Sequence, residues 1–593
     1  MKRNTLIILA LALIFQTVLV SSTFAQKISS TKLEQHVKIL ASDSLAGRKP
    51  GLEGGNKAAK YIRDAMENSK LTLMGENGFT YFEVITNVEM GDKNAINFFN
   101  TNYILNKDFR PITASSNSSL NSNLYFAGYG FDIHTDSLKW SDYPTTFQIN
   151  RTWVIIMRGA PNNDKQDSKY AAYASDWYKI TTAKDKGAKG VILVSPPSLE
   201  PKDSLMPIFI DQQAGSAGIP VFNVTRECIS KMLRNYDINI GGIEQQLNKE
   251  MKQTGLFIPM KLSGTTDLKI TRGNTQNIVG FIEGSDSKLK NEFIVIGAHY
   301  DHLGLGGPNS GSRMPDTSAI HYGADDNASG VATIIEVASA INNMKTKPKR
   351  SIILVAFGAE ELGLVGSKQF FKNPLVDAKQ IKAMINLDMV GRMRVEKIIS
   401  VGGTGTALEF DNMLNLLEPK SKMKFARNPD GYGPSDHSSF YIEGIPVLYF
   451  STGAHSDYHT PFDTYDKLDY SSMKLIADLT YQTVLNLANR TASLTYKETG
   501  SKPTGYRKLK VTLGIIPDMV STDNKGLRVD GVRKGAPSEK GGMLKGDIIV
   551  SVNGQPVTNI YDYMARLQTL VPGQTANIEV NRNGKIEVLI IQL

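Results

Sequence analysis

The chain has 593 residues and a single cysteine, Cys228. A lone thiol excludes an intramolecular disulfide framework, so the fold must stand on packed apolar cores. No cysteine lies near residue 25, which argues against lipid attachment there. Long apolar runs are also scarce: beyond residue 25 no stretch of the sequence approaches the roughly 20 residues that cross a bilayer. Charge of one sign is missing too. Sixty-seven Lys and Arg stand against 58 Asp and Glu, a formal net charge of +9 with no basic block and no interleaved aromatic platform. Such a distribution reads as a solvated surface and gives nucleic-acid binding no support. Low-complexity tracts and internal repeats are absent. With 41% hydrophobic and 21% charged residues, the composition is that of ordinary packed protein.

What is present starts with residues 1–25. Lys2 and Arg3 form a basic start, residues 6–15 an apolar run, and Thr23-Phe24-Ala25 a small-x-small cleavage pattern, together a secretory signal. Gln16 and Thr17 interrupt the apolar stretch, which argues against a retained anchor. The mature protein is expected to be secreted or periplasmic, with no stable membrane anchor.

A chain of this length should divide into several cores. Residues 32–73 read as helical, with Ala58, Ala59, Ile62, Ala65 and Met66 on one stripe and a helix start near Asn56. Between 119 and 261 short β-rich runs such as 153–157 and 190–194 alternate with polar turns, as in an inserted module. Between 291 and 489 apolar strands (293–298, 352–357, 383–387, 447–450) alternate with helical segments such as 331–341. Strands buried on both faces read as unbroken apolar runs, so this region predicts an α/β unit with helices flanking a mostly parallel central sheet. Gly-Ser-Lys-Pro-Thr at 500–504 marks a linker. The expected division is a signal (1–25), a first part of the chemical domain (27–118), the insert (119–261), the rest of the chemical domain (262–497), a linker (498–506) and a β-rich tail (507–593).

Six of the eight histidines fall between His299 and His459. Carboxylates accompany them just beyond the predicted strands, where open α/β sheets bind their ligands. The first strand runs into His299-Tyr300-Asp301, and a loop leads to Asp325-Asp326-Asn327 before a helix. The next strands are followed by Glu360-Glu361, by Asp388 and by the loop bearing His459. Two imidazoles and three carboxylates, His299, His459, Asp326, Glu361 and Asp388, suit zinc in N/O coordination, and cobalt or manganese could use the same donors. Three carboxylates are neutralised by two divalent ions and one hydroxide, so charge favours a pair of ions. Adjacent side chains in an extended segment point opposite ways, which lets Glu361 ligate while Glu360 faces the substrate water as a general base. Coordination can bring the pKa of water from 15.7 to about 7, and a neighbouring carboxylate can carry its proton to a leaving amine. Asp301 is placed to hold the second nitrogen of His299.

These residues, in the motifs Ala298-His299-Tyr300-Asp301, Glu360-Glu361-Leu362-Gly363, Asn386-Leu387-Asp388-Met389 and Tyr458-His459-Thr460-Pro461, resemble the M28 family of metallopeptidases. The resemblance implies that Asp326 bridges two zinc ions, that His299 and Asp388 sit on one side and Glu361 and His459 on the other, and that Glu360 is the base. It further implies Tyr432, in Tyr432-Gly433-Pro434-Ser435-Asp436-His437, as a donor to the tetrahedral oxyanion. Gly47-Arg48-Lys49-Pro50-Gly51 looks like the start of the same domain. Phe126-Ala127-Gly128-Tyr129-Gly130 makes the insert similar to a protease-associated domain. The tail, with Gly546-Asp547-Ile548-Ile549 and Asn553-Gly554, resembles a PDZ domain whose loop Leu513-Gly514-Ile515-Ile516 would receive a peptide or protein C-terminus. The implied activity is hydrolysis of N-terminal residues from peptides. Carboxypeptidase or glutaminyl cyclase chemistry on the same scaffold, and peptide binding without catalysis, stay open.

Overall fold

A computed structural model describes residues 28–593 except 135–137, 144–148, 162–169, 171–172, 209–216, 237, 252–253, 309, 500–510, 518–525, 533–534, 558–562, 564–565 and 568–569. The signal segment and most of the expected linker lie outside the described residues. Among the described residues, no helix is long and apolar enough to cross a membrane.

The central element is a mixed sheet whose strands are β1 (Thr72–Leu73), β2 (Phe79–Met90), β3 (Leu268–Ile282), β4 (Phe293–His299), β5 (Ser351–Phe357), β6 (Ile381–Leu387), β7 (Ile398–Gly402), β8 (Lys424–Arg427) and β9 (Val447–Ser451). They lie in the order β1-β3-β5-β4-β6-β9-β7-β8, with β2 paired to β3. The middle pairs β5·β4, β4·β6 and β6·β9 are parallel, while β3·β5 and β9·β7 are antiparallel. The expected runs appear as strands extended by a residue or two. The period of two explains how each buries both faces. Ile294, Ile296, Ile352, Leu354 and Ala356 join one apolar cluster; Phe293, Val295, Ile353, Val355 and Phe357 join another on the opposite side.

Helices complete both layers. The first cluster takes in α1 (Ser30–Leu40), α2 (Glu53–Asn68), α3 (Gly330–Asn342), α5 (Phe410–Ser421) and α7 (Tyr470–Asn489). The second takes in α4 (Val365–Lys372) and α6 (His437–Ile442) through Phe370, Phe440 and Tyr441. Thus α1 and α2, from the start of the chain, pack on the same layer as the last helix.

The inserted unit is wider than 119–261. Its eight-stranded sheet also recruits Ala95–Phe98, Thr101–Asn102 and Phe109–Pro111 at one end and Leu256–Thr266 at the other. The first three pieces are only two to four residues long, too short to show a period, and all but Thr101–Asn102 are tied in by buried residues such as Ile96, Phe98, Phe109, Ile258 and Leu262. Its parallel centre, Trp153–Met157 beside Gly190–Val194 and Val221–Val224, is flanked by three helices, so the unit is α/β rather than β alone. The tail is a set of antiparallel strands from Ile515–Pro517 to Lys585–Gln592 around its own apolar cluster.

Candidate active site

All five residues named as metal ligands meet at the carboxyl end of the parallel strands. His299 is the last residue of β4, Asp388 follows β6, Glu360 and Glu361 follow β5, and His459 lies in the loop after β9. Asp326 sits in an irregular turn that runs into α3, at the cis peptide Asp326–Asn327.

Asp326 is shared between two groups of donors. Its Oδ1 is 3.2 Å from His299 Nε2, which is 3.3 Å from Asp388 Oδ1. Its Oδ2 is 3.2 Å from His459 Nε2, which is 3.2 Å from Glu361 Oε2. These separations carry a message about cations. Two N or O ligands bound at about 2.0–2.1 Å to one tetrahedral ion lie roughly 3.3–3.4 Å apart. Each imidazole–carboxylate pair is therefore spaced as the edge of a coordination tetrahedron. Among the described residues Asp388 Oδ1 is buried with no hydrogen-bond partner, and a cation would satisfy it. The donor set fits zinc chemistry.

The imidazoles are oriented by the backbone. His459 Nδ1 lies 3.0 Å from Gly311 O, so Nδ1–H donates and Nε2 keeps its lone pair toward the acids. His299 Nδ1 faces the carbonyl of Asp301 at 3.3 Å, while the Asp301 carboxylate is 3.8 Å away. The expected carboxylate partner of His299 has another task. Asp301 Oδ1 accepts from the amide of Glu360 at 2.9 Å and Oδ2 from that of Glu361 at 3.2 Å, so it fixes the acidic pair. Asp463 does the same across the site. It accepts from the amides of Asp325 at 3.0 Å and Asp326 at 3.1 Å, and its carbonyl accepts from Ala324 at 3.1 Å. Asn327 joins two further ligand segments: its Nδ2 donates to Leu387 O at 2.9 Å and its Oδ1 accepts from Met389 N at 3.2 Å. Non-glycine residues hold left-handed φ at Ala359 (58°), Met389 (56°) and His459 (56°), each at or beside a ligand. Such conformations cost on the order of 1 kcal/mol each and persist only where surroundings impose them.

The electrostatics reflect crowded acid. Burial pulls His299 toward neutrality, but Asp388 and Glu360 outweigh it and hold the imidazole well above its ordinary pKa. Burial lifts Glu360 well above the carboxylate range; His299 opposes this, and Asp436, Glu361 and Asp388 add to it. Glu361 shows the opposite balance, since His459 and His302 overcome burial and bring it down to about 2. Glu360 approaches His299 Nε2 at 4.0 Å and belongs to neither triad, as a base free of coordination requires.

Sequence reasoning passed over His302. Its Nδ1 lies 2.9 Å from Glu361 Oε1 and 3.8 Å from Asp326 Oδ2, and its buried Nε2 has no hydrogen-bond partner among the described residues. His302, Asp326 and Glu361 form a second grouping of metal-type donors, beside that of His299, Asp326 and Asp388. The equidistant approach of His459 Nε2 favours His459 as the ligand, with His302 on the other oxygen of Glu361. Its place three residues after His299 was the available signal. Tyr432 stands elsewhere: its ring packs edge-on against Tyr441 at 4.8 Å, and its charged neighbours are Glu498 and Asp430. Tyr449 and Tyr458 face the cluster instead. Burial first, then the nearby acids including Asp388, Glu360 and Asp326, raise both phenols well above their usual pKa. Tyr458 also stacks on His459 at 3.8 Å.

In the tail, Gly514 takes a left-handed φ of 74° and Ile515 begins the first strand. The Gly514 amide donates to Thr512 Oγ1 at 3.0 Å, so one of the amides expected to receive a carboxylate is already engaged. Leu513 is buried, with its carbonyl accepting from Ser538 N at 3.0 Å.

Known proteins resemble parts of this chain. A probable leucine aminopeptidase of Arthroderma otae is 30% identical over 235 residues, covering 37% of this chain and 62% of its own. Another, from Trichophyton verrucosum, is 28% identical over 218 residues, covering 35% and 57%. The chain thus spans about three-fifths of the length of these curated relatives. The solved aminopeptidase from Aneurinibacillus sp. strain AM-1 superposes with a TM-score of 0.49 at 20% identity, over 80% of this chain and 98% of that one. Residues 277–484 match the family model of peptidase family M28, and residues 511–593 match that of the PDZ domain.

Proposed function

We propose that the protein is a secreted or periplasmic dinuclear-zinc exopeptidase that removes N-terminal residues from peptides. The observation that carries this reading is Asp326, whose two oxygens each complete a triad of donors at tetrahedral spacing. His299, Asp326 and Asp388 would hold one ion, and Asp326, Glu361 and His459 the other. Once bound, such ions lower the pKa of water and polarise a carbonyl.

The remaining steps belong to the chain. Glu360, held by its amide on Asp301, takes a proton from the attacking water as the carbon–oxygen bond forms. It returns that proton to the departing nitrogen as the carbon–nitrogen bond breaks, so no proton is gained or lost. The hydroxyl donor to the oxyanion is assigned to a tyrosine: Tyr432 by the resemblance, with Tyr449 and Tyr458, whose phenols lie near Asp388, Glu360 and Asp326, as its rivals. The preference for N-termini is supported by the relatives described as probable leucine aminopeptidases. The protease-associated character of the insert and capture of a peptide C-terminus by the tail belong to the same proposal.

The test is release of amino acids from matched free and N-acetylated peptides, with metal content measured alongside. Free peptides should be trimmed and blocked ones spared. Glu360→Gln should keep its metal and lose about 10²–10⁴ in turnover. Equal cleavage of both peptides, C-terminal trimming alone, or pyroglutamate formation would refute the aminopeptidase assignment.

A further inference from the structure

Residues 277–484 account for every proposed ligand, yet the site is closed from outside that span. Arg48 is fully buried. It ends the turn Asp43–Arg48, where Ala46, Gly47 and Arg48 all have positive φ. Gly47 is required there, since a Cβ would lie 2.4 Å from Gly304 O and 2.6 Å from His321 O. The Gly47 carbonyl accepts from Gly304 N at 3.0 Å, docking the turn on the segment that follows His302.

Among the described residues the guanidinium makes no ion pair within bonding distance and donates to backbone carbonyls. Nε reaches Tyr300 O at 2.6 Å; Nη1 reaches Leu40 O at 2.7 Å and Tyr322 O at 2.6 Å; Nη2 reaches Gly323 O at 2.8 Å and Asp326 O at 3.5 Å. Tyr300 adjoins His299, while Gly323 and Asp326 bound the irregular turn. One planar fork therefore ties the two segments that bring His299 and Asp326 together. The guanidinium is a permanent cation and lies near Asp326, Asp301, Asp463 and Glu361.

We infer that Arg48 is a positioning residue of the metal centre, setting the distance between His299 and Asp326 and offsetting part of the acid charge before metal arrives. This rests on the metal-binding reading of the triads. A lysine has a compact ammonium with three donors, and cannot reproduce a planar grip on carbonyls from both segments.

The experiment compares the full chain with Arg48→Lys and with Leu33→Ala, a cavity in α1 about two helical turns before Leu40, the residue whose carbonyl Arg48 holds. Zinc affinity is read by competition with a chromophoric chelator, cobalt loading by its visible spectrum, and kcat separately from KM. Arg48→Lys should weaken metal binding by about 10–100-fold. Its cobalt spectrum should be altered and its kcat lowered, with KM little changed. Leu33→Ala should lose thermal stability and keep its metal affinity. Native affinity and kcat in Arg48→Lys, or equal loss of affinity in Leu33→Ala, would overturn the inference. A measurement on the unaltered protein guards against a variant that fails to fold: zinc should slow hydrogen exchange at residues 43–49, and no change there counts against Arg48. Failure of the unaltered protein to take up zinc would refute the underlying metal reading itself, before any variant is compared.

Discussion

Asp301 lies two residues after His299 and Asp463 four after His459, and each directs its carboxylate at the amides of an acidic pair on another segment. An imidazole-bearing loop thereby also fixes acids contributed by a different part of the chain. Asp463→Asn would turn one acceptor oxygen into a donor facing two amides. Metal affinity, followed by chelator competition, should fall by about 10–100-fold while the fold persists. The clustering of the five proposed ligands was legible because each follows an apolar strand or precedes an apolar helix. The oxyanion donor was not, since the side a tyrosine faces depends on a rotamer and on neighbours such as Tyr441 that sequence order does not reveal. Phe substitutions discriminate among the hydroxyls: Tyr432→Phe, Tyr449→Phe and Tyr458→Phe should each retain metal, and only the variant that lacks the donor should lower kcat.

At the level of elements, β4, β5, β6 and β9 could be read directly because both faces are buried. The strands Ile398–Gly402 and Lys424–Arg427 carry no proposed ligand, and the latter is a four-residue edge strand with a charged residue at each end. A reading anchored on polar residues at strand ends passes over both. In the insert, Lys179 on the helix Asp176–Asp185 is fully buried, donates to Met157 O at 2.6 Å, and lies over the rings of Tyr129 and Phe131 at 5.2 and 5.1 Å. Burial lowers its pKa to about 7, from an ordinary 10.5. Between those values the unfolded chain binds the extra proton, so this lysine makes stability rise with pH from about 7 toward 10.5. Thermal unfolding of the insert should show that slope, and Lys179→Met should remove it. The same variant leaves buried carbonyls without a donor and should cost about 1–3 kcal/mol.

Among the described residues, the apolar clusters do not mix the tail with the rest: one draws on residues 511–593, and those of the central sheet on residues 28–494. The tail should therefore unfold in a transition of its own. A chelator should lower the transition of the central sheet, because ions bound to the native state alone stabilise it by mass action, and should leave the tail's transition in place. A chain ending at Thr499 keeps the paired contact in which Tyr441 Oη donates to Thr499 O at 2.7 Å. Its kcat on short peptides should match that of the full chain.

The strands Phe79–Met90 and Leu268–Ile282 run antiparallel, and Met90 is the direct cross-strand partner of Leu268. The whole eight-stranded unit therefore occupies the place of a hairpin turn. A two-residue Asn-Gly link would join the same ends with ordinary reverse-turn geometry. Replacing residues 91–267 in this way should give a shorter protein that still folds around the ribbon, making the insert a detachable cassette.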